Sequence, residues 1–156
     1  MREEDIRFLS RAVELARENV RRGGGPFGAV IVRGGEVIAE SANEVIAIPD
    51  PTAHAEVQAI RRAALALDSF DLSATTLYTS CEPCPMCMGA VYWARISRVV
   101  YASDRLDAQK AGFRDADLYH ELTIPPAERR IPVEKCQIPG SGEEFKDWIT
   151  SDIHLY

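Results

Sequence analysis

The chain has 156 residues, 46% of them apolar, with 24 acidic against 18 basic side chains, a net charge of −6 and a pI near 5.1. That length suits one domain, 1–156, whose core is large enough to fold without disulfide staples, and the ordinary 27% charged fraction excludes a disordered chain. No apolar run reaches the ~18–20 residues of a membrane span, no apolar leader follows Met1-Arg2-Glu3-Glu4-Asp5, and the acidic balance argues against a polyanionic partner, so the expectation is an intracellular, cytoplasmic protein with neither membrane nor nucleic acid as partner.

Residues 3–22 read as an amphipathic helix, with Ile6, Leu9, Val13, Ala16 and Val20 as its inward stripe and the charges between them as a solvated face. Gly23-Gly24-Gly25-Pro26 stops it; the run matches no phosphate loop and reads as a turn. Residues 28–32 and 36–39 form a hairpin across Gly34-Gly35. A loop over 41–51 leads to a helix over 52–67, then a strand over 76–79, a helix over 84–94 and a strand over 99–102. A helical turn at 107–110 follows. Residues 131–138 offer a fifth strand, and 141–149 a last helix capped by Ser141, with Glu143 and Glu144 in its first turn. This order implies a mixed sheet with helices on both faces.

Cys81, Cys84 and Cys87 cluster; Cys136 stands alone in a short apolar stretch and reads as a small core residue. In an intracellular chain, clustered cysteines point to metal or redox chemistry before disulfides. His54-Ala55-Glu56 and Pro83-Cys84-Pro85-Met86-Cys87 each open a helix, and Pro85 suits a first helical position. Cys84 and Cys87 are three apart, hence on one helix face. Two thiolates and an imidazole make a zinc set with one tetrahedral position open, and a helix N-terminus favours the thiolates. Residues two apart on a helix point about 200° apart, so His54 and Glu56 converge only if His54 sits at the very start, which Asp50-Pro51 makes plausible. Glu56 would then be a carboxylate free of the metal, placed for general acid–base work. Two other readings stay open: Cys81 as fourth ligand of a closed structural site, or a redox Cys-x-x-Cys. His120 and His154 read as surface or packing residues.

The pattern H-x-E…P-C-x-x-C is the signature of zinc deaminases, and the chain resembles the cytidine deaminase-like superfamily over nearly its whole length. Within it, 24–32, 50–56 and 79–87 resemble the bacterial guanine-deaminating branch, as do Gly89-Ala90-Val91-Tyr92-Trp93-Ala94-Arg95 and Ala111-Gly112-Phe113-Arg114-Asp115. The resemblance implies a three-layer α/β/α sandwich around a five-stranded mixed sheet. It implies one zinc per chain on His54, Cys84 and Cys87, with Glu56 as proton shuttle. Asn43 would hydrogen-bond the base, Asp115 would bind its polar edge, and Phe27 and Trp93 would pack on the ring. Asn43 could otherwise be an ordinary turn residue, Asp115 a solvated loop acid, and the two aromatics core. Arg114 stands where relatives commonly carry an acid. The reaction implied is guanine plus water to xanthine plus ammonia. The tail 141–156 would be exchanged across a homodimer, with Tyr156 at the partner's site. Other outcomes are a tRNA adenosine deaminase, a deaminase of cytosine, guanosine or aminotriazines, and a non-catalytic zinc module.

Overall fold

The computed structural model describes residues 2–151; Tyr156 lies outside them. The chain divides into two compact units, one ending at His120 and one beginning at Glu121. Among the described residues no helix is long and apolar enough to cross a membrane.

The first unit carries α1 (Glu3–Arg21), β1 (Gly28–Arg33), β2 (Glu36–Ala42), α2 (Ala55–Leu67), β3 (Thr75–Cys81), α3 (Pro85–Trp93), β4 (Arg98–Ser103), α4 (Arg105–Lys110) and α5, which begins at Asp115 and ends at Glu121. Among the described residues the sheet has four strands in the order β2-β1-β3-β4, not the five expected. β1 is antiparallel to β2 and β3, whereas β3 and β4 are parallel and joined through α3, as a parallel pair requires a crossover. The period-2 alternation of β1 separates two cores. Val30 and Val32 join Tyr78, Phe8, Leu9 and Ala12 on the α1 face. Ala29 and Ile31 join Leu77, Ala55, Ala59 and Val91 on the α2–α3 face. The three layers therefore form as expected.

The rotation of α1 differs from the expected stripe. Asp5, Phe8, Leu9, Ala12 and Ala16 are buried, whereas Ile6 and Val20 are 55% and 51% exposed. The helix turns so that Phe8 packs on Tyr78, ring centroids 5.2 Å apart. It also lies close to β1: a Cβ on Gly28 would stand 2.3 Å from the Ala12 carbonyl oxygen, so only glycine fits there. The same rotation carries Asp5 inward. Its Oδ1 accepts from the Tyr78 hydroxyl at 3.0 Å and from Arg98 at 2.7 Å, and its Oδ2 accepts from Arg98 at 2.9 Å and from the Arg2 backbone N–H at 3.1 Å. This acid is a buried anchor between α1, β3 and β4, not part of a solvated face. The Arg98 pair holds its carboxyl well below the usual carboxylate range.

The second unit holds a short 3₁₀ turn, Pro126–Glu128, and α6 (Glu143–Thr150). None of its described residues is buried. Residues 131–138 form no strand: Pro132 removes a donor, and the Val133 N–H goes to the Pro126 carbonyl at 3.2 Å. Cys136, on this stretch, is exposed and not a core residue. Gly142, not Ser141, is the N-cap of α6; the Ser141 hydroxyl instead donates to the Ile138 carbonyl at 2.8 Å.

Candidate active site

α3 starts where the sequence puts it, whereas α2 starts at Ala55, three residues after the expected 52. His54 is the N-cap of α2, with extended backbone at φ −65° and ψ 152°. Because it is not yet helical, its side chain escapes the 200° divergence from Glu56 that a regular helix would impose. Cys84 is the N-cap of α3 with Pro85 just inside, and Cys87 follows one turn on.

The three side chains meet. His54 Nδ1 lies 3.6 Å from Cys84 Sγ and 3.5 Å from Cys87 Sγ, and the two sulfurs are 3.6 Å apart. A tetrahedral zinc with ordinary bond lengths requires about 3.8 Å between sulfurs and about 3.6 Å from sulfur to nitrogen, so this triangle fits the ion. Among the described residues it is the one such cluster of three donors. Cys81 is outside it: its Sγ faces the Asp104 carbonyl oxygen at 3.6 Å, and burial pushes its thiol up to about 11. The closed Cys₃His reading therefore has no geometry here. The contact with Cys87, and after it the one with His54, holds the Cys84 thiol well below the usual thiol range. The Cys84 thiolate in turn raises His54.

Glu56 is 4% exposed. Its Oε2 lies 3.5 Å from Cys87 Sγ, and its Oε1 accepts from the Thr79 hydroxyl at 3.5 Å. Burial raises its carboxyl above the ordinary glutamate value, which suits a group that must both take and give a proton. Thr79 was not singled out in the sequence. The signal was present in the pleat: Thr79 shares the β3 face of Leu77, which packs under α2.

These groups border a cavity of about 430 Å³, whose lining includes Phe27, Asn43, His54, Glu56, Cys84, Phe113 and Asp115. Asn43 is held by its own turn. Its N–H donates to the Phe27 carbonyl at 3.0 Å, its Oδ1 accepts from the Val45 N–H at 3.3 Å, and its carbonyl accepts from the Asn19 amide at 2.8 Å. A Cβ on Gly25 would come within 3.1 Å of the Asn43 side chain, so the glycine run lets this loop close on it. Phe27 packs edge-on against Phe113, with centroids 4.8 Å apart and rings at 77°. The sequence named Phe113 only as part of a motif; its place in the cavity wall comes from that contact. Asp115, the first residue of α5 rather than a loop acid, is half-buried, and desolvation raises its carboxyl. Trp93 does not line the cavity: it ends α3 and is 70% exposed.

The family model described as the cytidine and deoxycytidylate deaminase zinc-binding region matches residues 2–103. The chain is 52% identical over 142 residues to the guanine deaminase of Bacillus subtilis, covering 90% of this chain and 91% of that protein. A solved structure of that enzyme superposes with a TM-score of 0.90 at 51% identity, over 96% of this chain and 94% of that one. A tRNA-specific adenosine deaminase of Aquifex aeolicus is 35% identical, over 90% and 91% of the two chains. A solved mutant complex with 8-azaguanine matches at 36% identity and a TM-score of 0.69, over 71% and 64%.

Proposed function

The chain belongs to the cytidine and deoxycytidylate deaminase zinc-binding family, and from that premise we propose that it hydrolyses guanine to xanthine and ammonia. The observation that carries this reading is the cavity in which a buried carboxylate outside the donor set, Glu56, stands beside the His54–Cys84–Cys87 triangle and shares the lining with Asn43 and Asp115. The 52% identity with a guanine deaminase over nine-tenths of the chain supports guanine over the wobble adenosine of a tRNA.

A zinc ion held by His54, Cys84 and Cys87 supplies a nucleophile at neutral pH by acidifying water. Glu56 accepts the proton that the attacking water loses. Attack is at C2 of the base; Glu56 passes that proton to the adjacent ring nitrogen, then takes the remaining hydroxyl proton as the C2 oxygen becomes a carbonyl and delivers it to the amine, which leaves as ammonia when the C2–N bond breaks. Asn43 and Asp115 hydrogen-bond the polar edges of the base, and Phe27 with Phe113 flanks the ring. A base that leaves Asn43 and Asp115 unpaired is rejected strongly. We further propose a cytoplasmic homodimer, in which 1–140 forms the catalytic body and 141–156 crosses to the partner's site. The support is that Phe145, Trp148 and Ile149 of α6 remain exposed within this chain.

The test is ammonia release from guanine, adenine, cytosine, guanosine, an aminotriazine and a tRNA anticodon stem-loop. Guanine is expected to be best, with xanthine as product. Salt-sensitive activity on the stem-loop with none on guanine would move the assignment to adenosine in tRNA.

A further inference from the structure

α5 is two turns long and has no buried residue, so an apolar face does not fix it in place. Polar ties do. The Tyr119 hydroxyl donates a 2.7 Å hydrogen bond to the carbonyl of Pro83, the residue just before the zinc-site Cys84. The Arg105 guanidinium lies over the Tyr119 ring, 4.2 Å from its centroid. Arg105 is gripped from another side by Glu82: Nη2 to Oε1 at 2.8 Å, with Nε and the backbone N–H both donating to Oε2 at 3.1 Å. Such a two-pronged grip fixes the plane of the guanidinium as well as its distance. Glu82 itself borders the cavity.

Asp115 and Tyr119 are four residues apart on α5 and so share a face. The helix that presents Asp115 to the cavity is thereby fastened, at its next turn, to the loop that opens α3. At a site where displacement of about 1 Å is costly, such a tie sets where Asp115 stands.

We infer that Tyr119, backed by Arg105 and Glu82, is a positioning residue that holds Asp115 at a fixed place relative to the Cys84 turn, and so sets how the base lies over Glu56. This rests on the reading of Asp115 as a contact to the base.

A double-mutant cycle tests it, reading guanine turnover and the dissociation constant of 8-azaguanine on the zinc-loaded protein. Tyr119→Phe keeps the ring over Arg105 and removes the hydrogen bond. It should weaken both readouts roughly three- to tenfold, about the worth of one hydrogen bond, with zinc content and melting temperature at parental values. Asp115→Ala should weaken both further. In the Asp115→Ala background, Tyr119→Phe should then change the dissociation constant by less than about twofold, because the two act as one unit. Arg105→Lys keeps a cation over the ring but loses the two-pronged grip, and should show the same dependence on Asp115. If Tyr119→Phe costs nothing, or costs the same factor with Asp115 present and absent, the inference is overturned and Asp115 keeps its role. If Asp115→Ala itself leaves affinity and turnover at parental values, the base contact falls and the inference falls with it.

Discussion

The unit ending at His120 buries an apolar core, whereas the described residues of the unit beginning at Glu121 bury none. In the first, Val30, Ile31, Leu72 and Leu77 have no exposed surface, and the candidate site grows out of that burial: the starts of α2 and α3 are fixed by the core beneath them, so His54, Cys84, Cys87 and Glu56 converge without outside help. In the second, no described residue is buried, and Ile131 at 80%, Phe145 at 67% and Ile149 at 72% stand open. At about 25 cal/mol per Å² of apolar surface, an α6 face of that kind gains stability only when something covers it. The zinc-site residues thus belong to one folded unit, while α6 of the other carries apolar side chains that stand exposed.

The largest effects test the self-sufficiency of the first unit. Cys84→Ser or Cys87→Ser should abolish zinc binding and with it turnover, whereas Cys81→Ser should keep zinc at about one per chain; equal loss from Cys81→Ser, read by metal analysis, would restore the closed site. Glu56→Ala should keep zinc and fold while losing at least ~10²–10⁴ in kcat.

Truncation after residue 140 probes the other side of the contrast. Zinc content should persist while turnover falls sharply, and mixing truncated chains with full-length Glu56→Ala chains should restore activity after subunit exchange. No recovery after confirmed exchange would mean that the tails are not traded.

Asp5→Asn should lower the melting temperature at pH 7, because Arg98 loses its charged partner. The carboxyl of Asp5 is held below its unfolded value, near 3.9, so its stabilisation is present above that pH and lost as pH falls below it. The variant should therefore show a shallower loss of melting temperature between pH 5 and pH 2 than the parent; equal slopes would remove Asp5 from the account. The smallest effect belongs to Ile149→Ser, at an exposed position of the second unit. It should shift the stability of the monomeric chain by no more than ~0.5 kcal/mol while weakening self-association measured by sedimentation.

Much of this was legible in the amino-acid order because it is local chemistry. Pro85 just inside a helix start, Cys84 and Cys87 one turn apart, and a histidine two residues before a glutamate after Asp50-Pro51 each fix a spacing and a donor type, and a helix start converts both into geometry. The pleat of β1 likewise predicts that Ala29 and Ile31 face one side of the sheet and Val30 and Val32 the other. What tertiary structure decided is whatever depends on a partner distant in sequence. The rotation of α1 was set by Phe8 finding Tyr78 and Asp5 finding Arg98, where apolar periodicity alone favoured Ile6 and Val20. The exclusion of Trp93 from the cavity, the entry of Phe113 opposite Phe27, and the tie from Tyr119 to Pro83 depend on where loops return. The stretch 131–138 had apolar content for a strand, but a strand exists only where another edge satisfies its N–H and C=O groups, and no arrangement of residues within the stretch can supply that edge.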